Sequence, residues 1–136
     1  MIPASGLARL GIASAFAILM LSGMALAQSS ERVNFAAGKD NAAVEAEVIG
    51  GGYKDYILGA AAGQTMGVSL ITDGTAYFNI LPPGSDGEAI YIGSIDGNDA
   101  SIKLPAAGDY TIRVYLMGND KDSGRTVPFT LSMTIM

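Results

Sequence analysis

The chain has 136 residues, no cysteine and no histidine, and its 8 basic residues against 13 acidic ones leave a net charge of −5. Without imidazole or thiol it lacks the ordinary general base, the thiol nucleophile and the usual zinc ligands, which removes most hydrolase and zinc-enzyme chemistry. The acidic balance argues against nucleic acid as a partner.

Residues 1-27 read as a cleavable export signal. Arg9 precedes an uncharged apolar run from Leu10 to Leu21, and Ala25-Leu26-Ala27 supplies the small residues that signal peptidase needs. The run is shorter than the roughly 20 residues that cross a bilayer, and no cysteine follows it to take a lipid. No membrane anchor is therefore expected after cleavage. Cutting after Ala27 leaves residues 28-136 as one domain, large enough to bury a core without disulfides, and removes Arg9, which takes the net charge to −6.

Beyond Ala27, short alternating apolar and polar runs punctuated by glycine predict β-strands. A first strand is expected over Arg32 to Ala36. Val44, Ala46 and Val48 then oppose Ala43, Glu45 and Glu47, the signature of a half-buried strand. Gly50-Gly51-Gly52 is followed by neither a helix nor Lys-Ser/Thr, so it reads as a flexible connector rather than a phosphate cradle. Tyr56, Leu58 and Ala60 share one face, Ala62-Gly63-Gln64 makes a turn, and Met66, Val68 and Leu70 share the face of a returning strand. This pair is expected to form a hairpin. Thr75 to Leu81 is apolar on both parities, so its facing stays open, and Pro82-Pro83-Gly84 ends it because proline cannot donate to a ladder. Strands are expected over Ile90 to Ile95 and Ala100 to Leu104, with Asp96-Gly97-Asn98 as the turn between them. Tyr110, Ile112, Val114 and Leu116 point one way along the next strand, and Thr111, Arg113, Tyr115 and Met117 the other. A polar loop runs from Gly118 to Arg125. The last strand, Val127 to Ile135, places Phe129, Leu131, Met133 and Ile135 on one face. No helical pattern is found. Eight or nine short strands at this spacing predict an all-β fold, a two-sheet antiparallel β-sandwich.

The residues that remain give little support to catalysis. Ser123 beside Lys121 and Asp122 has the make-up of a solvated loop tip, and the acidic turns around Asp96 and Asp120 complete no calcium loop. No cofactor or metal is implied. Tyr53, Tyr77, Tyr91 and Tyr115 are candidates for a face that stacks on sugar rings or packs on a protein, although strands favour tyrosine in any case.

Three segments in order carry a family resemblance: Asp55-Tyr56-Ile57-Leu58 running into Ala62-Gly63-Gln64-Thr65-Met66; Ala76 to Gly84; and Leu104 to Asn119. Together they resemble the bacterial periplasmic inhibitors of g-type and i-type lysozymes. The Gly-x-Tyr-x-Ile/Leu-x-Val strand also resembles the pre-peptidase C-terminal domain of secreted enzymes. The resemblance implies a periplasmic, non-catalytic sandwich whose partner is a g-type or i-type lysozyme and which protects peptidoglycan by pushing a loop into the enzyme's cleft. In those inhibitors the loop has the form Ser-Gly-x-Tyr. The matching residues are Ala107, Gly108, Asp109 and Tyr110, so alanine stands where the family has serine and one hydrogen bond to a cleft carboxylate is lost. Tyr110 shares a parity with Ile112 and Val114, which leaves two roles open for it: a core tyrosine whose hydroxyl satisfies a loop backbone, or a contact residue. The second family element is a basic loop, matched by Asn119, Lys121 and Arg125 but diluted by Asp120 and Asp122. Arg113, on the solvent parity, is a further candidate donor to the two carboxyl groups that a glycosidase needs. The alternative is a non-catalytic sandwich module that binds cell-envelope carbohydrate or protein through its tyrosines. A homodimer is compatible with either, since open sheets leave edge strands free to pair.

Overall fold

The computed structural model describes residues 28-136, so the export signal expected over residues 1-27 lies outside the described residues. Nine strands follow in chain order: β1 (Gln28–Arg32), β2 (Asn41–Ile49), β3 (Tyr53–Ala60), β4 (Thr65–Thr72), β5 (Ala76–Leu81), β6 (Tyr91–Ile92), β7 (Asp99–Lys103), β8 (Gly108–Leu116) and β9 (Thr126–Ile135). They build a five-stranded sheet in the order β1-β3-β8-β5-β6 and a four-stranded sheet in the order β2-β9-β4-β7. β1 runs parallel to β3, and the other pairings are antiparallel. The two-sheet sandwich expected from the alternation is the fold observed.

The longer strands are half-buried because their alternate residues point to opposite faces, whereas β1 is exposed along its length. From the five-stranded sheet Tyr56, Leu58, Phe78, Ile80, Tyr110, Ile112 and Val114 turn inward, to meet Val48, Met66, Val68, Leu131 and Met133 from the other. Tyr56 and Phe129 meet edge to face across the interior, their ring centres 6.4 Å apart. Burial, and secondarily the charge of Glu31, push the Tyr56 hydroxyl up to about 12. The strand whose facing was open, β5, buries Ala76, Phe78 and Ile80, and it also buries Leu81 on the opposite parity, which is why its alternation was unreadable.

Four local expectations are corrected. β3 and β4 are not a hairpin: β3 pairs with β1 and β8, whereas β4 pairs with β7 and β9 in the other sheet. Alternation tells which residues face the core, and both strands do face it, but from opposite sides. Among the described strands only β5 and β6 are consecutive and paired. The first strand is Gln28–Arg32, ahead of the apolar residues on which Arg32 to Ala36 was based; Val33 and Phe35 instead pack on the rim of the core after the strand has ended. The three glycines are a fixed turn rather than a flexible connector. The Gly52 N–H donates to the Ile49 carbonyl and that of Gly50 to the Arg125 carbonyl, each at 2.9 Å, and a Cβ on Gly50 would lie 3.0 Å from the Gly124 Cα.

The fourth correction concerns Ile90 to Ile95. β6 covers Tyr91–Ile92 only, and the chain then winds into a helical turn, α1 (Gly93–Asp96). A second one, α2 (Gly118–Asp122), lies in the polar loop before β9, so the helix-free expectation fails at both places. Gly93 explains the first. A Cβ there would sit 2.4 Å from the Phe78 carbonyl oxygen, so only glycine lets the turn lie against the β5 backbone. Gly93→Ala is expected to force these backbones apart at a cost of about 1–3 kcal/mol, measured by urea denaturation. A loss under about 0.5 kcal/mol, the range of an ordinary surface change, would show that the approach is soft.

Candidate functional site

The residues singled out from the sequence lie along β8 and at its two ends. The strand rises about 3.4 Å per residue, which puts Gly108 and Leu116 roughly 27 Å apart. The Ala107 turn and the Gly118 to Arg125 loop therefore occupy opposite ends of the sandwich. These are the two elements that the family resemblance implies as contacts.

At the first end, Leu104 is buried, with its N–H donating to the Gln64 carbonyl at 2.8 Å, while Ala106, Ala107, Gly108 and Asp109 are exposed. Tyr110 is 0% exposed, its hydroxyl donating to the Ala106 carbonyl at 2.6 Å and accepting the Ala106 N–H at 3.2 Å. Of its two open roles the core one is observed, and the ring presents no surface to a partner. Gly108 holds φ at +142°, and a side chain there would meet Pro83 at 2.9 Å, so the turn is braced by the Pro82-Pro83-Gly84 corner. Asp109 is ion-paired with Arg32 of β1.

Midway along β8, Arg113 does lie on the outer face, but it is engaged. Its Nε and Nη2 donate to the two carboxylate oxygens of Asp55 at 2.8 and 2.9 Å, Nη1 donates to the Asp86 carbonyl at 3.2 Å, and the guanidinium sits 4.1 Å above the Tyr53 ring. The Asp55 hydrogen bonds are the main reason its pKa is raised. Both arms of the Nε/Nη2 fork are occupied by the Asp55 carboxylate. The register places Tyr53, Tyr115 and Tyr77 in one row across β3, β8 and β5. The Tyr115 hydroxyl donates to Asn79 Oδ1 at 2.8 Å. Tyr91 does not join them, because it stacks on Phe78 with ring centres 5.4 Å apart and donates to the Gly97 carbonyl.

At the second end, α2 exposes Asn119 and Lys121, with Met117 beside them 42% exposed. What fixes this tip is a residue that sequence reading treated as surface charge. Asp120 is only 6% exposed: one carboxylate oxygen accepts the Thr75 N–H at 2.8 Å and the Thr75 hydroxyl at 2.9 Å, and the other accepts Arg125 Nη1 at 3.1 Å. These bonds, led by the Thr75 N–H, hold its carboxyl below the ordinary value of 3.8. Gly74 lets the turn come close, since a Cβ there would lie 2.9 Å from the same carboxylate. The Arg125 side chain stays 64% exposed while it makes its bond. Asp120 offsets the charge of Arg125 but engages only one of its nitrogens, so Lys121 is the unpaired cation of the tip and Asp122 the acidic residue left exposed beside it.

No protein-family model and no curated protein matches the chain. Among solved structures it is similar to PliG of Aeromonas hydrophila, a periplasmic inhibitor of g-type lysozyme, at 34% identity over 80% of this chain and 97% of that one, with a TM-score of 0.75. A mutant of PliG from Escherichia coli is 26% identical over 80% of this chain and 99% of that one, with a TM-score of 0.65. The pre-peptidase C-terminal domain of a Bacillus anthracis collagenase, 16% identical over 79% of this chain and 94% of that one, shares the fold with a TM-score of 0.56.

Proposed function

Because the chain belongs to the PliG family of periplasmic lysozyme inhibitors, we propose that it is exported, cleaved after Ala27, and inhibits g-type lysozyme by filling the enzyme's cleft. The observation that carries this reading is the 34% identity sustained over 97% of the Aeromonas hydrophila inhibitor.

With the two ends of β8 roughly 27 Å apart, one cleft receives one end. The α2 end fits better. A glycosidase works with paired carboxyl groups flanking the scissile bond. Lys121, the outward guanidinium of Arg125 and the Asn119 amide offer donors to such carboxylates, and Met117 offers apolar area beside them. At the other end Asp109 is paired with Arg32, and the exposed cation is Lys103 on β7 rather than a residue of the Ala107 turn itself. No bond is made or broken in this mechanism; the tip occupies the place of the substrate. Its tightness comes from preorganisation, because a tip held through Asp120 loses little further freedom on binding.

The test is a turnover assay of Micrococcus wall lysis by g-type, i-type and c-type lysozymes with purified residues 28-136. Stoichiometric inhibition of the g-type enzyme is expected. Lys121→Glu should weaken it by about tenfold or more, the scale of a like-charge contact in a closed interface, and Ala107→Glu should leave it within about twofold. The reverse pattern would move the contact to the Ala107 turn. Failure against all three enzymes, together with binding to peptidoglycan, would favour the glycan-binding alternative on the Tyr53, Tyr115 and Tyr77 row.

A further inference from the structure

The outer face of the four-stranded sheet carries a hollow of about 420 Å³ beside the α2 end. The register sets Glu45, Thr130 and Ile71 in one row across β2, β9 and β4, with Glu47 opposite Pro128 in the next. The floor is Ile71, Thr130 and Pro128, and the rim holds Glu45 and Glu47 on one side and Asp73 on the other. Ile71 is 66% exposed. The three ion pairs among the described residues are Arg32 with Asp109, Arg113 with Asp55 and Arg125 with Asp120, so no described cation is ion-paired with the rim. The hollow also adjoins the tip through one turn: the Thr72 hydroxyl donates to the Pro128 carbonyl at 3.1 Å, and Thr75, three residues on, is the partner of Asp120.

An apolar floor between carboxylates matches a long basic side chain, whose methylene stem lies on aliphatic surface while its charged head reaches the rim. We propose that this hollow is a second contact of the inhibitor, taking a lysine or arginine side chain from a cationic flank of the lysozyme cleft while α2 enters the cleft itself. The proposal rests on the lysozyme reading. A second copy of this chain fits less well, because two such rims would bring like charges together. Most of the rim's effect falls on encounter, since carboxylates outside the packed centre of an interface steer association and are screened by salt.

The experiment measures association and dissociation rates between a g-type lysozyme and residues 28-136 at several salt concentrations. Glu45→Gln with Glu47→Gln and Asp73→Asn should slow association by about tenfold at low salt and flatten its salt dependence, with the melting temperature unchanged because all three side chains are exposed. Ile71→Ser should speed dissociation. Equal rates and salt slopes for the triple variant and the parent, with inhibition intact, would overturn the second contact and leave the lysozyme reading standing. A parent chain that does not inhibit would overturn both. Oligolysine bound by the parent but not by the triple variant, without any change in the lysozyme kinetics, would assign the hollow to cationic peptides and overturn the proposal as stated.

Discussion

Tyr110→Ala is expected to cost about 3–5 kcal/mol of folding stability, the range for deleting a buried aromatic ring, whereas Tyr110→Phe costs about 1 kcal/mol. The ring is 0% exposed at the entrance to β8, so its removal opens a void in the core that its cross-strand neighbour Leu58, itself buried, cannot fill without leaving its own packing. The hydroxyl adds the two bonds to Ala106 that hold the preceding turn. Ala106 is exposed, and water replaces those bonds in the phenylalanine variant, which keeps that loss at the low end. Urea denaturation reads both values. If α2 is the contact, inhibition by the phenylalanine variant equals that of the parent, and the alanine variant loses only the fraction that unfolds. A phenylalanine variant that is folded but inactive would return the Tyr110 hydroxyl to the interface.

Tyr110 also marks where sequence pattern stops being informative. The facing of β8 and β9 was legible because a half-buried strand writes its environment with period two, and every inward residue assigned there is buried. The sheet to which a strand belongs leaves no such trace. β3 and β4 both turn apolar residues inward, and a hairpin and a crossing between sheets look alike from one chain. Family membership was legible in the segments from Asp55 to Met66, Ala76 to Gly84 and Leu104 to Asn119. The electrostatics of the site were not, because the deciding partners are distant in sequence: Thr75 is 45 residues from Asp120, and Asp55 is 58 residues from Arg113. Within Asn119 to Gly124, Asp120 has the same local signature as Asp122, yet one carboxylate faces the protein and the other faces water. The one local cue was Gly74-Thr75, a glycine that admits a close neighbour followed by a residue with two donors, and it identifies no partner by itself.

Asp120 accordingly carries the second large expectation. Asp120→Ala removes the acceptor for Thr75 and Arg125 together and leaves the Thr75 N–H without its partner, so α2 is freed to sample other conformations. Inhibition is expected to fall on the order of 10- to 100-fold, because the tip must then be ordered at each binding event. Faster amide exchange confined to residues 117-125 should accompany that fall. Asp120→Asn keeps one oxygen for Thr75 but turns an amide toward Arg125, where donor meets donor, and an intermediate loss follows. The pH dependence has a definite sign. A carboxyl held below its ordinary value of 3.8 in the folded protein stabilises the tip fully above that value, and the stabilisation disappears as pH falls further through the lowered one. The tip should therefore be equally ordered from pH 5 to 8 and loosen only below about 3.8, with the alanine variant showing no such step. An alanine variant with unchanged inhibition and unchanged exchange at residues 117-125 would show that the tip keeps its form without Asp120, and would remove preorganisation from the account of how this end binds.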